Sequence, residues 1–296
     1  MKILLLGKNG QVGWELQRSL APLGELVALG SDDGDLTDLD GIAKKIRAIA
    51  PDIIVNAAAH TAVDKAESEP DRVHTINARA PAVLAQEAFQ LNAWLVHYST
   101  DYVFDGSGDK PWLETDQTGP LNVYGASKLE GERLISRSGC KHLIFRTSWV
   151  YGARGGNFAK TMLRMARERD SLKVIDDQIG APTGADLLSD VTAHAIRTAL
   201  LRADVSGLYH LAASGETSWY GYASYVLDFA RRAGISLKVA PDTIERVPTS
   251  AFATAAIRPH NSRLNTIKLR SAFDLHLPHW QAGVERMLSE VLESGK

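Results

Sequence analysis

The N-terminal stretch Met1-Lys2-Ile3-Leu4-Leu5-Leu6-Gly7-Lys8-Asn9-Gly10-Gln11-Val12-Gly13 decides the fold. Its apolar run predicts a buried strand, and helical periodicity follows it. Gly7 permits a tight turn, Gly10 lets a pyrophosphate approach the backbone, and Gly13 lets helix and strand pack closely. Because the first N–H groups of a helix favour an anion, this stretch predicts a dinucleotide site with Gln11 and Val12 among its contacts. The alternative is an ordinary glycine-rich turn.

The first half of the chain alternates apolar runs with segments of helical period. Strands are predicted at residues 2–6, 25–29, 52–58, 94–99 and 142–147. Helices are predicted at residues 11–20, 41–50, 71–91 and 122–136. The strands are almost continuously apolar, as strands buried on both faces are. This order predicts an α/β fold with a Rossmann-like, doubly wound parallel sheet whose ligands lie at the carboxyl ends of the strands.

The second half is less regular. We predict helices at residues 157–169, 185–201, 218–233 and 280–292, a strand at 207–212 and a loop-rich stretch at 241–259. We therefore divide the chain into a dinucleotide-binding domain, residues 1–150, and a smaller C-terminal substrate-binding lobe, mainly residues 151–296. No linker separates the two, so some segments of the lobe are expected to return to the first domain.

Composition excludes several classes of protein. Of the 296 residues, 45% are hydrophobic and 23% are charged, which is typical of a globular protein. The net charge of -2 gives no electrostatic reason to expect a nucleic acid or membrane partner. Cys140, the single cysteine, excludes an intrachain disulfide and fits a reducing compartment. We expect a cytoplasmic protein, since the apolar start is too short for a signal peptide.

Several residues are candidates for the adenosine side of the cofactor. The second strand ends at Leu29-Gly30, so the acid that usually bonds the ribose is displaced to Asp32. That displacement leaves NADPH and NADH both open, and Lys8 lies where it could meet a 2′-phosphate or solvent. Asp35 and Leu36 are candidates to cap the adenine, or Asp35 is only a turn residue. After the third strand, Ala59, His60 and Thr61 are expected to line the cofactor, although His60 could be a partly exposed loop residue.

Tyr124 and Lys128 are candidate catalytic residues, because their spacing of i, i+4 places them on one face of a helix. A nearby ammonium, together with an oxidised nicotinamide, is expected to lower the pKa of the phenol and so tune it as an acid. Thr100 ends the fourth strand and could bond a substrate carbonyl. Ser99 is its rival, because alternation should let only one of them face the site. Asn77 could anchor a water in a proton relay or be an exposed helix residue.

Taken together, the glycine loop, Asn-Ala-Ala-Ala (56–59), Ser-Thr-Asp-Tyr-Val-Phe (99–104) and Tyr-x-x-x-Lys (124–128) resemble the extended short-chain dehydrogenase/reductases. Within that superfamily, the chain is similar to the dTDP-4-dehydrorhamnose reductases. The segments that carry this similarity are residues 58–67, 146–151, 180–183 and 258–264.

The resemblance implies reduction of the 4-keto group of dTDP-4-dehydro-β-L-rhamnose by NADPH or NADH, for bacterial surface polysaccharide. It implies that Tyr124 donates the proton, that Lys128 and Tyr98 bind the cofactor, and that Thr100 orients the carbonyl. Asp101 and Trp149 would then contact the sugar, an indole offering a flat apolar face. The alternative for Trp149 is that it packs in the core. Gln178 and Arg258 are weaker candidates to bind the diphosphate of the nucleotide sugar. Arg258 could instead form a surface ion pair.

The resemblance also implies a homodimer and, in some members, a magnesium ion that is structural, at a dimer contact, and not catalytic. Asp186, Asp190 and Glu290 could supply carboxylates, but they also fit a solvated acidic face, so the metal ligands remain unassigned. Two other functions are open. One is a regulatory binding subunit on the same scaffold, such as the beta subunit of methionine adenosyltransferase, against which intact Thr100, Tyr124 and Lys128 argue. The other is a nucleotide-sugar epimerase or dehydratase, although a dehydratase would carry an acidic pair after Thr100.

Overall fold

The computed structural model describes residues 1–293, and a parallel sheet lies at its centre. The strands are β1 (Lys2–Leu6), β2 (Glu25–Leu29), β3 (Ile53–Asn56), β4 (Trp94–Thr100), β5 (Lys141–Thr147), β6 (Val150–Tyr151), β7 (Leu172–Ile175), β8 (Ile179–Gly180), β9 (Thr183–Gly184), β10 (Gly207–His210), β11 (Thr217–Ser218) and β12 (Ile244–Val247). Six of them form the central sheet in the order β10-β5-β4-β3-β1-β2. All its neighbours are parallel, which confirms the predicted fold class.

The helices flank this sheet and the loops between strands. They are α1 (Gln11–Leu20), α2 (Leu39–Ile49), α3 (Val63–Ala66), α4 (Pro70–His74), α5 (Ala80–Gln90), α6 (Val123–Arg137), α7 (Phe158–Glu168), α8 (Ala185–Leu201), α9 (Trp219–Arg232), α10 (Ile267–Phe273) and α11 (Trp280–Glu293). No helix within residues 1–293 is both long enough and apolar enough to span a membrane.

The central strands are buried because helices cover both faces. Leu4 and Leu6 point to the core that contains α2 and α5, while Ile3 and Leu5 point to the core that contains α1 and α8. In the sheet, β2 lies on one side of β1 and β3 lies on the other, so the strand order reverses at β1. That reversal of strand order opens a crevice at the carboxyl end of β1.

The predicted helix at residues 71–91 is wrong in one respect, because it is interrupted. Between α4 and α5, residues 75–79 form a turn of π-helix. Pro81 has no N–H to donate to the carbonyl of Asn77 four residues earlier, so the regular α pattern cannot pass through this point. The freed carbonyl of Asn77 faces α6 instead.

The second half builds a separate core around α7, α9 and α11, with Tyr222 and Trp280 among its buried residues. The stretch 241–259 is not all loop, because β12 lies within it and pairs in parallel with β7. Meanwhile α8, β10 and α10 pack against the first core. The division of the chain near residue 150 stays a prediction.

Two glycines fix the position of α6. A Cβ on Gly125 would lie 2.2 Å from the carbonyl oxygen of Tyr102, and one on Gly131 would lie 2.3 Å from that of Asn77. The helix therefore rests directly on the backbone at both places. A buried pair ties it to the sheet as well, since Arg146 of β5 donates to both oxygens of Glu132, at 2.9 and 2.6 Å.

Gly131→Ala should destabilise the protein, because the added methyl meets a backbone oxygen that no rotamer change can move. Such overpacking lowers the free energy of unfolding by about 1–3 kcal/mol, and the better helix propensity of alanine offsets up to about 1 kcal/mol of that. Gly156→Ala is the matched control, since nothing lies within 4 Å of its Cβ position. Urea unfolding of both variants measures the difference, and equal midpoints would show that α6 does not depend on this contact.

Candidate active site

A cleft of about 700 Å³ opens at the carboxyl ends of the central strands. Most of the predicted site residues line it. They are Gly7, Gly10, Gln11, Val12, Asp35, Leu36, Ala59, Thr61, Tyr98, Thr100, Asp101, Tyr124, Lys128 and Trp149. Gly13 and His60 lie outside this lining, as do the weaker candidates Lys8, Asn77, Gln178 and Arg258.

The glycine loop has the geometry that the sequence predicts. Gly7 has a positive φ of 86°, and a Cβ there would lie 2.7 Å from the backbone nitrogen of Ala58. A Cβ on Gly13 would lie 2.0 Å from the carbonyl oxygen of Gly7, so α1 packs tightly under the loop. Gly10 is the N-cap of α1 and faces the cleft. The N–H groups at the start of α1 are therefore available to an anion.

The adenosine side of the cleft contains no acid at the end of β2. Gly30 and Ser31 line it there, and Arg72 joins them, a residue that no sequence motif indicated. The Lys8 ammonium lies 3.5 Å from the carboxylate of Asp33. Asp35 accepts hydrogen bonds from the N–H and hydroxyl of Thr37, which hold the pKa of this carboxyl below its usual value.

The loop after β3 is held by a brace from the π turn. Asn77 accepts a hydrogen bond from the N–H of His60 at 2.8 Å and donates to its carbonyl at 3.0 Å. It also donates to the hydroxyl of Ser127 on α6, at 3.1 Å. Asn77 is therefore buried and joins the loop to α6, and it is not an exposed helix residue. The His60 ring points away from the cleft, 3.8 Å from the carboxylate of Glu69.

Thr100, Tyr124 and Lys128 converge on the floor of the cleft. The Thr100 hydroxyl bonds the Tyr124 phenol and donates to Asp101 at 3.0 Å. The Lys128 ammonium donates to the carbonyl oxygen of Tyr98 at 2.6 Å and lies 3.2 Å from Nε2 of His97. Tyr98 lines the cleft, but its hydroxyl bonds Thr192, which lies outside the lining, at 2.6 Å.

Burial dominates the protonation of these groups. It raises the pKa of Tyr124 to about 12 and lowers the pKa of Lys128 to about 8. It also raises the pKa of Asp101 to about 6. The expected lowering at Tyr124 is therefore not a property of the protein alone, because desolvation of the phenolate outweighs the opposing effect of the hydrogen bond between Tyr124 and Thr100. A phenol that stays protonated at neutral pH is suited to donate a proton.

The far wall of the cleft is aromatic. Trp149 has a φ of 48°, in the left-handed region that a bulky residue rarely adopts. Its indole stacks on that of Trp219, with ring centroids 3.6 Å apart and planes 13° from parallel. Trp219 comes from the start of α9, seventy residues further along the chain, and no sequence pattern linked the two. Strain of this kind in a cleft is typical of a functional residue.

The two weaker candidates for the diphosphate have other partners. Gln178 is buried, donates to Thr249 at 3.0 Å and accepts from Nε1 of Trp219 at 3.0 Å. Arg258 donates to both oxygens of Asp64, at 3.2 and 2.6 Å. Neither residue lines the cleft. Gln178 thus supports the aromatic wall through its hydrogen bond with Trp219. Arg258 forms an ion pair, which was the alternative to a role at the diphosphate.

Two buried oxygen atoms fit a polar ligand in the cleft. Oγ of Ser99 and Oγ1 of Thr147 have no hydrogen-bond partner within residues 1–293, and both residues line the cleft. Buried polar atoms normally have partners, so these oxygens are suited to the hydroxyl and amide groups of a dinucleotide and a sugar. Ser99 and Thr100 both line the site, although strand alternation predicted only one, because the strand ends here.

The carboxylates considered for magnesium do not form a cluster. Asp190 lies 2.8 Å from Arg18, while Asp186 and Glu290 lie 3.5 and 3.4 Å from Arg286. Residues 1–293 contain no group of three His, Cys, Asp or Glu side chains placed to hold a metal ion. Each of these carboxylates faces a guanidinium within its own chain, so a single chain does not build a magnesium site from them. A magnesium ion at a dimer contact stays a prediction, and no chemical step is derived through one.

Comparison with known proteins agrees with this geometry. The dTDP-4-dehydrorhamnose reductase of Escherichia coli K12 is 61% identical over 295 residues, which cover 98% of both chains. The reductase of the same name from Burkholderia thailandensis is 46% identical over 296 residues and 99% of both chains. Among solved structures, dTDP-4-dehydrorhamnose reductase from Bacillus anthracis in complex with NADP has a TM-score of 0.88 at 35% identity, covering 98% and 99% of the two chains.

A more distant likeness shows the fold alone. UDP-glucose 4-epimerase from Thermus thermophilus, in complex with NAD, is 19% identical with a TM-score of 0.77. The model of the family described as "RmlD substrate binding domain", in contrast, matches residues 1–293. By this match and by the identity of its relatives, the chain belongs to the RmlD substrate binding domain family.

Proposed function

We propose that this protein reduces the 4-keto group of dTDP-4-dehydro-β-L-rhamnose to give dTDP-L-rhamnose, with NADPH or NADH as its cofactor, for bacterial surface polysaccharide. One observation carries the proposal. Thr100, Tyr124 and Lys128 meet on the floor of a single cleft whose other end is the glycine loop at the start of α1. A sugar carbonyl and a dinucleotide would therefore lie against the same acid.

The residues of the chain divide the work of a carbonyl reduction. When bound, the cofactor supplies a hydride to the carbonyl carbon. Thr100 orients the carbonyl oxygen by hydrogen bonding, and the Tyr124 hydroxyl gives its proton to that oxygen as the alcohol forms. Lys128 holds the ribose hydroxyls of the cofactor, and its positive charge favours the phenolate that Tyr124 leaves behind. The glycine loop holds the pyrophosphate.

The sugar is proposed to lie between Asp101 and the aromatic wall. Because the pKa of Asp101 is raised only to about 6, its carboxyl is mostly ionised at neutral pH and accepts hydrogen bonds from sugar hydroxyls. The indole of Trp149 offers an apolar face to the deoxysugar, and its stacking on Trp219 keeps that face in place. His60 is proposed to contribute through its backbone, since its ring faces Glu69.

The competing functions account for less of the site. A regulatory binding subunit has no need for an intact Thr100, Tyr124 and Lys128. A dehydratase needs a second acid after the threonine, and here Tyr102 follows Asp101. A homodimer, expected from the resemblance, and a cytoplasmic location, expected from the sequence, belong to this same proposal. Native mass spectrometry measures the first, and cell fractionation measures the second.

The direct test is oxidation of NADPH or NADH by the purified protein in the presence of dTDP-4-dehydrorhamnose, followed as loss of absorbance. The expected product is dTDP-L-rhamnose in amounts equal to the cofactor oxidised. Absence of turnover with both cofactors, in a protein that binds NADPH, would favour the regulatory subunit.

Tyr124→Phe should lower kcat by about 10²–10⁴-fold, because it removes the proposed proton donor and leaves the rest of the cleft in place. The Kd for NADPH, measured by fluorescence titration, should change little. Tyr220→Phe is the control, a phenol under Arg246 that does not line the cleft. Near-normal turnover of the Tyr124 variant would exclude this residue as the acid.

Trp149→Ala should lower kcat/KM for the keto-sugar by about 10–10³-fold, since an apolar contact surface and its stacked partner are lost. Cofactor affinity should be unchanged, because the substitution leaves the glycine loop that begins at Gly7 intact. The melting temperature distinguishes a specific defect from loss of the fold. A folded variant with normal kcat/KM would place Trp149 in the core only.

Gly30→Asp should shift the protein toward NADH. A carboxylate at the end of β2 bonds the ribose 2′-hydroxyl and repels a 2′-phosphate. The added Cβ meets only the movable ends of Asn9 and Lys8, at 2.8 and 3.5 Å, so the fold should tolerate it. The ratio of kcat/KM for NADPH to that for NADH should fall. An unchanged ratio would mean that the ribose does not lie near Gly30.

A further inference from the structure

A buried row of three side chains lies behind the floor of the cleft. Asn56 ends β3, His97 is its register partner on β4, and Lys128 projects from α6 onto the other side of the imidazole ring. The exposed fractions of the three residues are only 1%, 1% and 2%. Nδ2 of Asn56 lies 3.1 Å from Nδ1 of His97, and Nε2 of His97 lies 3.2 Å from the Lys128 nitrogen.

The backbone determines the direction of these hydrogen bonds. The N–H of Ala58 can only donate, and it lies 3.2 Å from Oδ1 of Asn56. The amide of Asn56 therefore turns its NH₂ group to His97, whose Nδ1 must accept. The ring proton of the neutral imidazole is then on Nε2 and points at Lys128. An ammonium has no lone pair to receive it, whereas an amine has one.

We infer that Asn56 fixes His97 as the Nε2–H tautomer, and that this ring N–H opposes protonation of Lys128, so that His97 is a positioning residue for the lysine. The inference rests on the proposed function, in which Lys128 assists Tyr124. Protonated Lys128 either faces this ring N–H with no lone pair to receive it, or makes the ring move its proton to Nδ1 and give up the hydrogen bond from Asn56. The row therefore links the charge on Lys128 to the loop that begins at Ala58 and lines the cofactor side of the cleft.

Other charged and titratable groups surround this pair. Tyr124 and Glu132 share α6 with Lys128, and Glu132 raises the pKa of Lys128 against the effect of burial. Arg146 of β5 holds Glu132, and Tyr98 of β4 and Asp101 after it border the same space. Burial and the charge of Lys128 keep the pKa of His97 well below its usual value, so the ring is neutral when Lys128 carries a proton.

The first test reads the tautomer directly. Nuclear magnetic resonance of the full-length protein with ¹⁵N-labelled histidine distinguishes a protonated from an unprotonated ring nitrogen, and the His97 signals are those missing from His97→Gln. We expect a protonated Nε2 and an unprotonated Nδ1 in the cofactor-free protein at pH 9, where Lys128 is mostly neutral. A protonated Nδ1, or a cationic ring, would overturn the inference. This result does not depend on the substrate, so it stands apart from the test of the proposed function.

The second test uses the pH profile. In Asn56→Asp the carboxylate still accepts from Ala58 but demands a proton on Nδ1 of His97, which turns a lone pair toward Lys128. The alkaline limb of kcat/KM should then move upward by about one pH unit. In the His97→Leu background the same Asn56→Asp change should move the limb less, because the connecting ring is gone. Equal shifts in both backgrounds would reduce the effect to charge alone and overturn the role of His97.

A control separates these effects from a general loss of histidine. His276→Leu changes an exposed ring far from the cleft and should leave the pH profile unchanged. If the double variant does not fold, the tautomer of His97 in the Asn56→Asp variant still tests the inference. Its ring should carry the proton on Nδ1, and an Nε2–H ring in that variant would show that Asn56 does not control His97.

Discussion

Direct contact between the α6 helix and the backbone beneath it is the constraint on which the site depends. At Gly125 and Gly131 the helix leaves no room for a side chain against the carbonyls of Tyr102 and Asn77. Tyr124 and Lys128 are each within three residues of one of these contacts, so their positions follow from the docking of the helix. The bidentate pair between Arg146 and Glu132 fixes the same helix to β5. Geometry held in this way lowers the entropy cost of aligning an acid with a carbonyl.

Low solvent access gives the site its electrostatic character. Burial raises the pKa of Tyr124 and Asp101 and lowers that of Lys128, in each case against the charged form. In such surroundings each fixed dipole acts more strongly than it would in water. The hydroxyl of Thr100 and the ring N–H of His97 are only two dipoles, but they therefore interact strongly with the charges of the site. Adding or removing one proton at Tyr124 or Lys128 therefore changes the electrostatic energy of the other buried groups of the site.

The substrate side is built by residues that are distant in the sequence. Trp149 follows β5, and its strained backbone is stabilised where β6 pairs with β9 and where the ring lies over Gly180. Trp219 arrives from α9, supported by Gln178. The second core, with Tyr222 and Trp280, holds these elements together. The two halves of the chain thus meet along the cleft, one supplying the acid and the other the apolar wall.

The sequence by itself determined the parallel sheet, the glycine loop and the pairing of Tyr124 with Lys128, because apolar period, turn chemistry and helical spacing are properties of neighbouring residues. Only the tertiary structure decided the stacking of Trp149 on Trp219, the ion pair of Arg258 and the position of His97 between Asn56 and Lys128. Each of these depends on which strands become neighbours and how closely a helix packs on them. Side-chain partners brought together across tens of residues leave no local pattern from which they can be predicted.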